Sequence, residues 1–318
     1  MTHYDVFNGD ADGICALHQL RLEEPREATL VTGVKRDIAL LSRVDAQRGD
    51  SVTALDISAA TNRPALEGLL ERGVRVQYFD HHFAGELPRH PGLQALIDTS
   101  PGVCTGILVD RYLGGKRRSW AVVAAFGDNL DASARALAEP LGLGAEELDA
   151  LHALGENLAY NAYGDTEADL IVHPASLYRT VSRYADPLRM MMDEPLAARI
   201  DAARRSDLAL AAGLRPEYVL GRAAVYVLPD AAWSRRVRGV FGNELANRFP
   251  ERAHAILTRD AQGGFVVSVR APRAAPTGAD ALCRGFASGG GRAAAAGINH
   301  LPEDGLPEFV RQLNRAFG

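Results

Sequence analysis

Residues 76–85 read VQYFDHHFAG, an apolar run that breaks off into an acid and two histidines. Val76 to Phe79 have the character of a short buried strand, and the chain then turns abruptly polar at Asp80, His81 and His82. Strands covered on both faces read as short apolar runs. Open α/β sheets place their ligand sites at the carboxyl tips of such strands. The segment therefore predicts a buried strand with functional side chains at its end.

Outward from this strand, elements alternate. HYDVF (3–7) reads as a strand, NGDADG (8–13) as a loop, and ICALHQLRLEE (14–24) as a helix with Ile14, Leu17 and Leu20 at helical spacing. ATLVTGV (28–34) and SVTALDIS (51–58) are further strands, and RPALEGLLERG (63–73) is a helix closed by Gly73. Strands separated by helices indicate a doubly wound, mostly parallel sheet. From Val103 the pattern is helical, through VCTGILVDRYL, WAVVAAFGDNL, ELDALHALGENLAYNAYG and PASLYRTVSRYA. EPLAARIDAARRSDLALAAG carries scattered charges and ends at Gly213, which suits a helical linker. Beyond it, EYVLGRAAVYVLP, AHAILTRD and GFVVSVRAP read as strands, and RRVRGVFGNELANRF and LPEFVRQLNRAF as helices. The fold class expected is α/β, with a first domain over 1–190, a linker over 191–214 and a smaller α/β domain over 215–318.

Composition narrows the partners. Of 318 residues, 47% are hydrophobic and 24% charged, ordinary values for a globular protein. MTHYDVFNGD has no basic leader or apolar stretch, and no run is long enough to cross a bilayer, so a cytoplasmic protein without a membrane partner is expected. Cys15, Cys104 and Cys283 are widely spaced and read as reduced thiols. A net charge of −5 argues against a long duplex nucleic acid, whose grip requires many cationic contacts. Lys35 and Lys116 are the only lysines among 35 basic residues, a bias attributable to genome composition and carrying no functional weight. A monomer and a homodimer are both compatible with the sequence.

The chemistry gathers at strand ends. Asp10 and Asp12 follow the first strand, Asp56 ends the third, Asp80 and the histidine pair end the fourth, and Asp128 lies in AFGDNL. In a parallel sheet these tips share one edge. Converging carboxylates repel, and some must protonate unless a cation sits among them. Oxygen ligands with one imidazole suit Mn(II) better than a thiolate-rich zinc site would, and Mg(II) is the other ion compatible with this set. Each residue alone has a plainer reading. Asp12 before Gly13 suits a helix cap or turn, Asp56 a loop carboxylate, and the His-His pair packing or surface. Their joint occurrence at successive tips favours the metal site.

FNGDADG (7–13), ALDIS (54–58), YFDHHFAG (78–85) and FGDN (126–129), in that order, resemble the four motifs of the DHH phosphoesterase family. VVSVRAP (266–272) and FASGGGRAAAAG (286–297) are similar to the strand arginine and glycine-rich signature of its associated C-terminal domain. The resemblance implies two divalent ions: Asp10 on the first, Asp12 on the second, Asp56 bridging, and His81 and Asp128 completing the second. It further implies that Asp80 orients its neighbours and that His82 faces the scissile phosphate. Two metals about 3.5–4 Å apart lower the pKa of a shared water and stabilise charge on phosphorus.

Two positions depart from the family. Asn8 stands where a histidine or aspartate is common, so it is expected to ligate the first ion weakly. Arg292 replaces the histidine after the glycines, as a bidentate phosphate donor. Gly289, Gly290 and Gly291 offer unobstructed backbone N–H groups to an anion, or make a plain turn. Arg270 is expected to meet a phosphate or to be an ordinary exposed strand residue. WSRRVRGVF (233–241) suits a solvated helix face better than a nucleic-acid surface.

The function expected is Mn(II)-dependent hydrolysis of short linear nucleotides, dinucleotides such as pGpG or pApA or short oligoribonucleotides, in a cleft between the domains. Its rivals are an adenosine 3′,5′-bisphosphate phosphatase, a RecJ-like single-strand exonuclease and a nucleotide sensor without turnover.

Overall fold

The computed structural model describes all 318 residues, which divide into two compact units, Met1–Ala203 and Arg204–Gly318. The first begins with β1 (His3–Phe7), α1 (Ala11–Glu23), β2 (Thr29–Val31), β3 (Ser51–Leu55), α2 (Ala59–Glu71), β4 (Arg75–Asp80) and β5 (Leu93–Ile97). Helices follow: α3 (Thr105–Tyr112), α4 (Arg118–Gly127), α5 (Asp131–Ala138), α6 (Ala145–Asn161), α7 (Pro174–Val181) and α8 (Pro187–Asp193). The unit boundary falls inside α9 (Pro195–Ala212).

The five strands form one sheet in the order β2-β1-β3-β4-β5, parallel at every pairing. Period-two alternation sorts its side chains. Phe7, Leu55 and Phe79 pack with α1, α3, α4 and α6, whereas Val6, Ala54 and Tyr78 pack with α2 on the other face. Burial on both faces explains why β1, β3 and β4 read as apolar runs. The chain steps from β1 to β2 on one side and to β3 on the other, so the sheet's switch point lies between β1 and β3. Asn8–Asp12 and Asp56 leave the carboxyl ends of those two strands.

The second unit contains β6 (Tyr218–Leu220), β7 (Ala223–Val227), α10 (Ala232–Arg248), β8 (Ala253–Arg259), β9 (Gly264–Arg270), α11 (Ala279–Arg284), β10 (Gly289–Arg292), β11 (Ala295–Pro302) and α12 (Leu306–Phe317). Its mixed sheet has the order β10-β11-β9-β8-β7-β6, with only β7 and β8 parallel. Val225, Leu257, Val267 and Phe309 share a core on one face, and Ala224, Ile256, Val237 and Phe241 on the other. EYVLGRAAVYVLP, read as one strand, is a hairpin of β6 and β7, because Gly221 turns the chain at φ +36°. No helix is long and apolar enough to cross a membrane.

Candidate metal centre

The loop after β1 is folded by its own polar side chains. Asn8 Oδ1 accepts from the Asp10 N–H at 3.2 Å, and Asn8 Nδ2 donates to the Lys35 carbonyl at 3.1 Å. Asp10 caps α1, its Oδ1 accepting from Asp12 N at 3.1 Å and Gly13 N at 3.2 Å. The cap suggested by the sequence is therefore Asp10 rather than Asp12. The other Asp10 oxygen meets Lys35 Nζ at 2.6 Å.

Asp12 stands in the first turn of α1, and its carboxylate accepts from Thr105 N at 2.8 Å and Gly106 N at 2.7 Å, at the start of α3. Only glycine suits position 106, where a Cβ would lie 2.4 Å from Ala124 Cβ and 3.1 Å from Asp12 Oδ1. Asp56 follows β3 with φ +59°, in the left-handed region that costs a non-glycine residue about 1 kcal/mol and that Asp and Asn tolerate best. Its N–H donates to Phe79 O at 3.0 Å, and its Oδ1 accepts from Thr105 Oγ1 at 3.2 Å. Backbone strain of this kind concentrates at functional positions.

His81 draws the group together. Its Nε2 lies 3.4 Å from Asp56 Oδ1, 3.8 Å from Asp12 Oδ2 and 3.8 Å from Asp128 Oδ2. Asp128 ends α4 as its C-terminal cap residue rather than following a strand. His82 Nδ1 pairs with Asp80 Oδ1 at 2.8 Å and lies 3.9 Å from Asp56 Oδ1. Asp80 is fully buried, and its Oδ2 has no protein partner.

The charges explain the need for a cation. Burial, then the neighbouring Asp12, Asp10, Asp128 and Asp80, hold the Asp56 carboxyl well above the usual range. Burial and Asp12 raise Asp128 to about 6, although Lys35 and His81 pull the other way. Burial also opposes ionisation of Asp10, but the Lys35 ammonium outweighs it and holds this carboxyl low. Lys35 is itself held well above its ordinary value: burial works against the charge, and Asp10, Tyr163 and Asp128 more than offset it. The Asp80 hydrogen bond is the chief cause of a raised His82, ahead of burial, which opposes it.

The residues fit a divalent ion at one of the two positions that the sequence implied. Asp56, His81 and His82 bring ligand atoms within 4.8 Å of one another, and Asp12 and Asp128 also face His81 Nε2; with His82 Nδ1 taken by Asp80, three carboxylates and the His81 nitrogen make a set matched to Mn(II). They do not fit an ion at the other position. There the Lys35 ammonium already stands 2.6 Å from Asp10 Oδ2, the carboxylate oxygen left over from the cap, and the Asn8 amide is spent on backbone groups.

In the second unit, Arg270 has protein partners. Its guanidinium donates to Asn243 Oδ1 at 2.6 Å, Ser268 Oγ at 2.8 Å, Val269 O at 3.1 Å and Gly239 O at 3.3 Å. Asn243 and Gly239 belong to α10, so the helix supplies part of this set. Gly289–Arg292, expected to offer N–H groups to an anion or to make a plain turn, is the edge strand β10 paired antiparallel with β11. Gly289 is required by packing, since a Cβ there would fall within 1.7 Å of Cys283 O, whereas Gly290 faces open space and Arg292 is exposed.

Sequence reasoning missed Lys35, Thr105, Gly106 and Phe83. Lys35 had a signal: it is one of two lysines in an arginine-rich chain, and its ammonium lies between the Asp10 and Asp128 carboxylates. Phe83, directly after the histidine pair, is 78% exposed, unusual for a large apolar side chain.

Comparison with solved structures identifies the fold. Exonuclease RecJ bound to manganese superposes with a TM-score of 0.57 at 22% identity, covering 99% of this chain and 89% of that one. RecJ in complex with Mn2+ from Thermus thermophilus gives 0.62 at 18% identity, covering 99% of this chain and 51% of its own, so the chain spans about half of that protein. CDC45 from Entamoeba histolytica gives 0.52 at 9% identity, covering 99% and 95%. No family model and no curated protein matches the sequence. The chain thus has the two-domain α/β architecture of RecJ, the DHH fold that its motifs resemble. At these identities the likeness is one of fold, and the chemistry rests on the residues above.

Proposed function

We propose that this chain is a metal-dependent phosphoesterase that hydrolyses short linear nucleotides to mononucleotides. The observation that carries the reading is the His81-centred set of Asp12, Asp56 and Asp128, with the His82–Asp80 pair beside it. A divalent cation held there, Mn(II) foremost, supplies Lewis acidity and a nucleophile at neutral pH. Asp56 orients its carboxylate through the Thr105 hydroxyl, and Asp12 through two backbone N–H groups, so these ligands are fixed before any ion arrives. Asp80 holds the Nδ1 side of His82, which directs Nε2 to serve as the donor to the departing oxygen.

Phe83 supports a nucleotide over a simple phosphate ester. An exposed ring adjoining His82 is suited to stacking on a base, a contact worth about 1–3 kcal/mol. Phe83→Ala is expected to lower kcat/KM on a dinucleotide by about tenfold to a hundredfold, chiefly through KM. A small chromogenic phosphodiester without a base should be nearly unaffected. Equal losses on both would assign Phe83 to structure and remove this support.

The same assay carried to longer chains separates the readings. Dinucleotides should be turned over faster than an RNA of about twenty nucleotides. Equal rates would favour a single-strand exonuclease; exonuclease is the activity named for one RecJ structure of this fold. Release of orthophosphate from a 3′,5′-bisphosphate as the faster reaction would make the protein a phosphatase.

A further inference from the structure

The geometry points to Lys35 as a built-in cation that takes the place of one of two divalent ions, so that the centre binds a single metal. This inference rests on the metal-centre reading above and deepens it. Three groups were expected to surround the first ion: Asn8, Asp10 and Asp56. The Lys35 ammonium lies 2.6 Å from Asp10 Oδ2, where a divalent ion would bind about 2 Å from the same oxygen. The two would compete for one carboxylate edge and repel each other. Asp10 Oδ1 is meanwhile committed to the Asp12 and Gly13 N–H groups.

Asn8 and Lys35 act as a pair. The Asn8 amide spends its oxygen on the Asp10 N–H and its nitrogen on the Lys35 carbonyl. The Lys35 N–H donates to Ala162 O at 2.9 Å, so the lysine backbone is pinned on both sides. The substitution of an amide at position 8 is therefore not a weakened metal ligand. It holds the backbone of the residue whose ammonium replaces the metal. The ammonium also reaches the proposed ion's ligands: it lies 3.6 Å from Asp128 Oδ1, while Asp128 Oδ2 faces His81 Nε2. Asp128 thus spans the fixed cation and the exchangeable one, as a carboxylate does between two metals.

The arrangement offers a phosphate the N–H donors of Lys35 where a second ion would coordinate an oxygen. Activity should then rise with manganese as a simple hyperbola, without the sigmoid onset of a centre that fills twice.

Titration of the 318-residue wild-type chain with Mn(II), by calorimetry and by electron paramagnetic resonance, tests this without reference to turnover. The expected result is one tightly bound ion with the hyperfine pattern of an isolated Mn(II). Two bound ions with an exchange-coupled spectrum would overturn the inference while leaving the metal-centre reading intact. No bound ion would overturn both. Lys35→Ala should open the Asp10 edge and raise the count to two, and Asn8→His added to it should tighten the second ion at least tenfold. A count of one in Lys35→Ala, with the fold preserved by circular dichroism, would show that the ammonium is not what excludes the second ion. Lys35→Arg keeps the charge and should keep the count at one, which distinguishes loss of the cation from general disruption of the loop.

Discussion

Asp56→Asn is expected to lower dinucleotide hydrolysis by a thousandfold or more, on the order of the loss when electrostatic stabilisation of the transition state is removed. The expected size follows from the position of Asp56. Its Oδ1 is the carboxylate oxygen closest to His81 Nε2, and it leaves β3 at the switch point of the sheet. The asparagine variant is the sharper test than alanine, because asparagine accepts φ +59° and keeps an oxygen for the Thr105 hydroxyl. It also resembles the protonated carboxyl that burial and four neighbouring aspartates favour when no cation is present. The metal-free variant should therefore melt at or slightly above the wild-type temperature in chelator. Saturating Mn(II) should raise the wild-type Tm, by about 2.7 kcal/mol of added stability at a hundredfold excess over Kd, and should leave the variant unmoved. Kinetics and thermal shift on the same two preparations check both parts. Undiminished turnover by Asp56→Asn would remove it from the metal centre.

His82→Gln should give the other large loss, about a hundredfold to ten-thousandfold in kcat, with manganese affinity unchanged. The separation of the two histidines is the basis. His81 faces three carboxylates, whereas His82 pairs with Asp80 and is nearly half exposed. Replacing His81 with alanine should instead weaken metal binding. If His82 delivers a proton to the departing oxygen, a substrate with a nitrophenolate leaving group needs it far less, and the variant should retain most of its activity there. An equal loss on both substrates would make His82 a positioning group rather than the proton donor.

The first unit was legible because parallel strands are simple to read and their tips converge. Asp10, Asp12, Asp56 and His81 follow from that rule and from the period-two runs beside them. Asp128 was grouped with them although it ends a helix, where the rule about strand tips does not apply. Lys35 was passed over because a loop residue carries no periodicity, and its rarity was assigned to base composition. Thr105 and Gly106 were hidden inside a segment read for its apolar helical spacing, although their backbone N–H groups hold Asp12.

The second unit was harder. LQALI (93–97) in the first sheet and AAGINHLP (295–302) in the second are strands whose sequences lack clear alternation, and both were missed. Without β11 as a partner, Gly289–Arg292 had no reason to be extended and was read as an anion-binding stretch or a plain turn. Arg270 was read as meeting a phosphate or as an exposed strand residue, because a sequence cannot show that Asn243 and Gly239 of α10 accept from its guanidinium.

The functional proposal stands or falls with a divalent ion held by the His81-centred carboxylates and used to hydrolyse short nucleotides. The decisive experiment incubates the wild-type protein with pGpG or pApA, with Mn(II) and with excess chelator, and separates the products by chromatography. Mononucleotides are expected in the presence of manganese, and intact dinucleotide in the chelator. Equal product in both, or none in either while the protein is folded and manganese is bound, would contradict the proposal.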